Sequence, residues 1–407
     1  MDRGLTPKSG SNPEINMVKT IRDFDLSQKR VLVRADFNVD FDERGQILDD
    51  YKLEKSLPTI NYLLEKKAKI ILMSHLGRPD GEPKAKCSLK PIAKRLEEHL
   101  KKPVKFLPDC LGPYVEKAVQ AMKPGDLILL ENLRFHSEEE KNDSNFAREI
   151  AKLGEIYIND AFGCAHRAHA TTFGLTKFLP SGLGILMEEE IKTLSQALGK
   201  KLPPLVAIIG GVKIGTKIKL IENLLKEAEH LILGGRIAYD ILAGKGLCLA
   251  GYIPDEEVVK TLERIDITNP RLHLPIDGAI LLKDGSGSYF RTASLGQLRK
   301  EEVVLDIGPE TEKIFEQIIK TARTVIWNGP LGKFEDERFA RGSLAIADAI
   351  IRSRAFSIVG GGDTATFLRK YNLLKEFDFV STGGGAMLTF LEGKKLPALE
   401  ALETNKS

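Results

Sequence analysis

Several kinds of protein are excluded by what this sequence has little of. It contains four cysteines in 407 residues. Cys87, Cys110, Cys164 and Cys248 lie far apart, with no Cys-x-x-Cys and no metal-ligand spacing. Neither a disulfide framework nor a zinc module organises such a chain, and the thiols read as reduced, as in the cytoplasm. Net charge is nearly absent at +3, which argues against a nucleic-acid partner, since such domains carry clustered positive charge. No apolar run approaches the eighteen residues of a membrane span. The opening MDRGLTPKSGSNPEIN has no apolar core of the signal-peptide kind, and residues 1–16, rich in Ser, Gly, Pro and Asn, read as a disordered extension. A hydrophobic fraction of 42% with 29% charged residues leaves an ordinary globular chain, long enough for two or three domains at about 150 residues each.

What is present is a rhythm. Short apolar strands alternate with helices of 10–15 residues, which predicts a parallel sheet covered on both faces. Candidate strands run Arg30–Arg34, Lys69–Met73, Leu127–Leu130 and Ile156–Ile158, with helices over Leu57–Lys66, Pro91–Leu100 and Phe146–Leu153. The rhythm returns at Pro204–Ile209, His230–Leu233, Thr324–Trp327, Phe356–Val359 and Phe379–Val380. Between the two series, 186–203 reads as an interdomain helix and hinge. The predicted class is α/β, with two Rossmann-like lobes over 17–185 and 204–390.

The strand ends differ between the halves. In the first they run into Asp, Asn, His and Arg; in the second they run into glycine clusters. Ligands of open α/β sheets sit beyond the carboxyl ends of the strands. One half therefore offers cationic and polar side chains, and the other offers bare backbone suited to phosphate. Arg78, Arg134 and Arg167 follow successive strands, with Arg34 and Lys52 near the first, and together they suit a small polyanion. The plainer alternative makes each a solvated loop residue. Asp36 and Asn38 read either as a turn or as binders of substrate hydroxyls.

Gly210 to Lys217 reads Gly-x4-Gly-Thr-Lys, whereas a P-loop needs Gly-x4-Gly-Lys-Ser/Thr, so a P-loop NTPase is rejected. Lys213 and Lys217, four apart at a helix start, remain as candidates for holding phosphate charge, or as an exposed pair. Gly360-Gly361-Gly362-Asp363-Thr364 and Ser381 to Ala386 each precede a helix. Asp363 reads as a Mg²⁺ ligand beside phosphate, or as a helix cap. There is no Gly-x-Ser-x-Gly elbow and no dinucleotide fingerprint after the first strand, so the chemistry implied is direct transfer between bound phosphates.

These segments carry a resemblance. Arg34-Ala35-Asp36-Phe37-Asn38, Ser74-His75-Leu76-Gly77-Arg78-Pro79, Glu131-Asn132-Leu133-Arg134-Phe135 and Ala165-His166-Arg167-Ala168-His169 appear in order. So do Trp327-Asn328-Gly329-Pro330, Gly360 to Ala365 and Ser381 to Ala386. From about Met17 onward the sequence resembles the phosphoglycerate kinase family. The resemblance implies reversible phosphoryl transfer between 1,3-bisphosphoglycerate and MgADP, giving 3-phosphoglycerate and MgATP, which requires the lobes to close about 186–203; the sequence shows no oligomerisation signal, so a monomer is expected. It implies that 391–407 packs back on the first lobe. It assigns the glycerate to Asp36, Asn38, Lys52, His75, Arg78, Arg134 and Arg167. It assigns the nucleotide to Gly211, Lys213, Lys217, Gly235, Gly308, Asn328, Pro330, Glu335, Gly361, Gly362, Asp363 and Thr364, with the metal at Asp363 and catalysis at Lys52, Lys213 and Gly384. Lys52 stands where the family carries an arginine, and Arg236 and Lys333 stand where small or apolar residues are usual. A non-catalytic ligand-binding relative, or a phosphotransferase with another nucleotide or acid, are the alternatives.

Overall fold

The computed structural model describes residues 18–199, 203–212, 214–247, 254, 256–262, 264–282 and 290–404. The expected extension at 1–16, Lys213 and Cys248 lie outside them. The chain forms two compact units, one ending at Ser195 and regained from Lys395 onward, the other spanning Gln196–Lys394.

The first unit holds β1 (Arg30–Arg34), β2 (Lys69–Met73), β3 (Lys105–Phe106), β4 (Leu127–Leu129), β5 (Ile156–Asn159) and β6 (Ser181–Leu183). They form one sheet in the order β3-β4-β2-β1-β5-β6, and all the pairings are parallel. Their apolar runs have a structural cause. Alternate residues point to opposite faces, so a strand with helices on both sides must be apolar at every position. Val31, Val33, Ile70 and Leu72 enter one core, whereas Leu32, Ile71, Met73 and Ile128 enter the other. The chain leaves β1 toward β2 on one side and later returns to place β5 on the other. That reversal puts the carboxyl ends of β2, β1 and β5 around a switch point.

The second unit holds β7 (Leu205–Ile209), β8 (His230–Leu233), β9 (Leu272–His273), β10 (Asp277–Leu282), β11 (Phe290–Ser294), β12 (Glu302–Ile307), β13 (Thr324–Asn328), β14 (Phe356–Gly360) and β15 (Phe379–Val380). Its parallel sheet is ordered β15-β14-β13-β7-β8-β9. Each unit thus has the one parallel sheet expected of it, and the second adds a separate antiparallel sheet, β11-β10-β12. Its strand β11 (FRTAS) never rises above half-buried and carries no apolar run, unlike β10 (DGAILL) and β12 (EVVLDI).

Two boundaries differ from expectation. The first helix begins at Tyr51 rather than Leu57, its polar opening turn having hidden the start. The C-terminal return begins at Lys395, not 391. Leu391 ends a helix of the second unit (Gly384–Leu391), where its carbonyl accepts the Asn223 amide at 2.6 Å. The last helix, Pro397–Thr404, belongs to the first unit, with the Ala398 amide bonded to the Ala165 carbonyl at 3.1 Å. Among the described residues no helix is long and apolar enough to cross a membrane.

Candidate active site

At the carboxyl edge of the first unit's sheet a buried charge network is anchored on Arg34, the last residue of β1. Its side chain is 1% exposed. Its Nε donates to Thr171 Oγ1 at 2.9 Å, its Nη1 donates to the Ala35 carbonyl, and its Nη2 lies 3.3 Å from His75 Nδ1. Beneath it, fully buried Glu139 accepts both the amide and the hydroxyl of Thr171, at 2.9 and 2.6 Å. Lys52, in the first turn of the helix Tyr51–Glu65, donates to Asp36 Oδ2 at 2.9 Å.

The Gly77 peptide is held from both sides. Its amide donates to Asn38 Oδ1 at 2.8 Å, and its carbonyl accepts Arg134 Nη1 at 2.9 Å. Arg134 sits on a short turn fixed by Asn132, whose side chain accepts the Arg134 amide and donates to the Leu76 and Cys87 carbonyls. Arg167 donates from Nε to His166 at 3.1 Å. Arg78 follows Gly77 and is exposed. Asp36, Asn38, Lys52 and Arg134 are thus joined by hydrogen bonds, an ion pair and the Gly77 peptide, His75 is held by Arg34, and Arg167 reaches the group electrostatically.

Cations dominate this edge. Burial alone would raise the Asp36 carboxyl, but the Lys52 ammonium, with a hydrogen bond from the Asn38 amide, holds it well below the usual carboxylate range. His75 is kept neutral by burial, reinforced by Arg34, Arg134 and Lys52. Burial and the arginines Arg34, Arg134 and Arg167 push His169 down to about 3. An anion entering here would be drawn by guanidinium and ammonium groups that the few carboxylates do not balance.

The second unit gathers backbone instead. The Gly210 amide bonds to the Asn328 carbonyl, Gly211 to Pro330, and Gly235 to Leu331, so the ends of β7, β8 and β13 are laced together. Gly329 lies at φ +92° and Gly361 at +101°, conformations that side-chain-bearing residues rarely adopt. Lys217 Nζ donates to the Gly210 carbonyl at 2.7 Å and to Asn328 Oδ1 at 2.8 Å. Burial lowers its pKa to about 8, against the opposing pull of Asp363. Gly384 opens its helix close enough that a Cβ there would lie 3.5 Å from Gly361 Cα. The cap of the helix Gly362–Lys370 is Gly361, not Asp363, whose exposed side chain makes no capping bond.

Three expected nucleotide contacts have other occupations. Asn328 is buried, with its oxygen on Lys217 and its amide donating to the Gly360 carbonyl at 2.9 Å. Thr364 accepts the Gly329 amide at 2.7 Å and donates to the Gly360 carbonyl at 3.0 Å. Gly308 lies at the end of β12, outside the parallel sheet. Its amide goes to the Asp277 carbonyl, and the Asp277 carboxylate already caps the Glu310 and Thr311 amides of the next helix. Glu335 is exposed. Glu139, Thr171 and Cys164 were missed by the sequence reading. Glu139 sits in an acidic run, Glu138-Glu139-Glu140, that reads as solvated surface, and no spacing marks its middle member as buried.

Fold and geometry together define an α/β protein with a cationic side-chain edge in one unit and a glycine-lined cradle in the other. The family model described as phosphoglycerate kinase matches residues 21–394. A phosphoglycerate kinase of Pelotomaculum thermopropionicum is 43% identical over 388 residues, covering 94% of this chain and 98% of that relative. One of Solibacter usitatus is 45% identical, covering 94% and 99%. The solved structure of phosphoglycerate kinase from Coxiella burnetii has a TM-score of 0.83 at 37% identity, covering 95% of this chain and 98% of that one. The phosphoglycerate kinase structure from Pyrococcus horikoshii OT3 has a TM-score of 0.84 at 31% identity, with the same coverages. The chain belongs to the phosphoglycerate kinase family. It is a phosphotransferase with a carboxyl group as acceptor, and MgATP and MgADP are its nucleotide pair.

Proposed function

We propose that the first unit's cationic edge holds the glycerate substrate and the second unit's cradle holds the nucleotide. The reaction is the transfer between 1,3-bisphosphoglycerate and MgADP that gives 3-phosphoglycerate and MgATP. The observation that carries the division is the contrast in donors: Arg34, Lys52, Arg134 and Arg167 around Asp36 and His75 in one unit, Lys217 among glycine amides in the other.

Phosphoryl transfer asks for positioning and charge stabilisation more than for covalent help. Asp36 and Asn38 bind the glycerate's hydroxyl and carboxyl end; Arg78, Arg134, Arg167 and His75 take its phosphate and carboxylate oxygens. Lys52 is shared between Asp36 and the transferring group. Lysine keeps the charge of the family's arginine but lacks its planar fork. Lys217 and the helix start at Gly384 face the nucleotide's phosphates, with Gly211, Gly235, Pro330, Gly361, Gly362 and Glu335 around the nucleotide; the family resemblance adds Lys213, which lies outside the described residues. Asn328 and Thr364 act as positioning residues that hold the cradle's shape.

Asp363 fits Mg²⁺: a hard oxygen donor, exposed and beside glycine amides. Bound there with the nucleotide, Mg²⁺ supplies charge neutralisation of the phosphate oxygens. A monomeric enzyme of the cytoplasm completes the reading, supported by Cys87, Cys110 and Cys164, which are buried and free.

The test is a coupled assay with 3-phosphoglycerate and MgATP on three proteins. Wild type should turn over. Arg134→Ala should raise KM for 3-phosphoglycerate by about tenfold or more, as loss of a charged hydrogen bond does, and leave KM for MgATP unchanged. Lys217→Ala should do the reverse. Binding of both ligands without turnover would instead favour a non-catalytic relative.

A further inference from the structure

Two groups among the described residues bring a thiol, an imidazole and a carboxylate together, each with its ligand atoms within 4.8 Å of one another. The first, Asp36, His75 and Cys164, belongs to the cationic edge. Arg34 Nη2 lies 3.9 Å from Cys164 Sγ, and Lys52 lies 2.9 Å from Asp36. Those cations occupy the space and repel a metal ion. The second group is Asp109, Cys110 and His136, in the segments that follow β3 and β4 at the far side of the same sheet. No step of the proposed reaction uses it.

Its electrostatic setting is the opposite. Burial first, then the acidic groups Asp109, Glu139 and Glu131, push the Cys110 thiol well above its ordinary value, and a bound cation would reverse that field. The basic residue nearby, Lys84, is paired with Asp80 at 3.0 Å. Asp109 and His136 line a cavity of about 300 Å³, together with Lys84, Ser88 and Glu131 among others, and Cys110 is buried beside them. His136 Nε2 already lies 2.8 Å from Asp109 Oδ1, and the Cys110 amide donates to that same oxygen at 2.7 Å, which pins the carboxylate beside the thiol. Glu131 is fully engaged by Ser88 and by the Leu89 and Asn132 amides, so it supplies field and not a ligand.

We propose that Asp109, Cys110 and His136 bind one borderline-soft divalent cation of the zinc class, with a fourth position open to the adjoining cavity. The donor set decides the metal. Sulfur and imidazole suit Zn²⁺ and its neighbours, whereas Mg²⁺ and Ca²⁺ select oxygen. His136 offers an imidazole nitrogen and Asp109 a carboxylate oxygen. Cys110 binds as thiolate: its S–H proton passes to buffer as the metal–sulfur bond forms, and no electrons are exchanged. The metal displaces the direct His136–Asp109 hydrogen bond and is held by both residues. His136 immediately follows the turn Leu133–Phe135 that carries Arg134, so the ion would brace that turn from the side away from the substrate edge.

The full chain, stripped of metal by chelation, is titrated with Co²⁺ as a spectroscopic stand-in for Zn²⁺. One equivalent should produce a thiolate-to-metal charge-transfer band and the intense visible bands of a four-coordinate ion, and Zn²⁺ should displace them. Cys110→Ser should abolish the charge-transfer band. His136→Gln and Asp109→Asn should each weaken binding by about tenfold or more, and Cys164→Ser should leave the spectrum unchanged. Asp109 is exposed, so Asp109→Asn reports even where Cys110→Ser does not fold. The proposal is overturned by the absence of a thiolate band, by its survival in Cys110→Ser, or by its loss in Cys164→Ser, which would move the ion to the other cluster. None of these readings depends on kinase activity, so they stand or fall apart from the proposed reaction.

Discussion

The two units solve the problem of binding an anion with different materials. The first uses side chains: a buried arginine, a partly buried lysine and a turn-mounted arginine, each oriented by another side chain. The second uses main chain: positive-φ glycines and amides laced between strand ends, with Lys217 as the charged group resolved at its centre. A side-chain site is held by paired charges taken out of water, so its weak point is the loss of one partner. A backbone site is held by shape, so its weak point is any atom added where there is no room. Three experiments sharpen or break that contrast, in order of expected effect.

Removing Glu139 should cost most. It is the buried anion beneath Arg34, 3.9 Å from Nη2, and it also bonds Thr171. Glu139→Ala leaves a buried guanidinium without its counter-charge, and chemical denaturation should show a loss of about 3–5 kcal/mol. Glu139→Gln, which keeps the hydrogen bonds to Thr171, should lose clearly less. Equal losses would mean that charge is not what holds the first site together.

Gly329→Ala attacks the second site. At φ +92°, a Cβ would press against the Gly210 carbonyl and lie 3.0 Å from Lys217 Nζ. The expected cost is about 1–3 kcal/mol of stability, together with weaker nucleotide binding by calorimetry and unchanged glycerate binding. A variant with wild-type stability and affinity would show that the cradle's shape is not constrained by this glycine.

The smallest effect is on pH dependence. With a pKa near 8 in the free protein, Lys217 is charged below that pH and neutral above it. Attraction for nucleotide phosphate is therefore present on the acid side and lost as pH rises. kcat/KM for MgATP, which reports the free enzyme, should fall along a limb near pH 8, and Lys217→Arg should move that limb to higher pH because arginine stays protonated. A limb that stays in place in the arginine variant would assign it to another group.

Much of the parallel framework was legible because a strand covered on both faces must be apolar at each position, as Ile70-Ile71-Leu72 is. In the antiparallel sheet, β11 was not, since its alternation between exposed and half-buried residues resembles loop. Among the site residues, Asp36, Arg134 and Lys217 were legible by their place after strands or at a helix start. Gly308 was placed with them on the resemblance, yet its amide and the helix beyond it are already served by Asp277. Glu139 was invisible, because its burial depends on Arg34 and Thr171, distant in the chain.

Order along the chain determined the α/β class and which end of each sheet carries polar groups, because residue alternation and strand-to-helix spacing are local properties. Partnership was decided only by the folded molecule. Whether a carboxylate neutralises a buried arginine, caps a helix or stands ready for a metal depends on which charges approach it and how far water is excluded. Those quantities are set by contacts between segments a hundred residues apart.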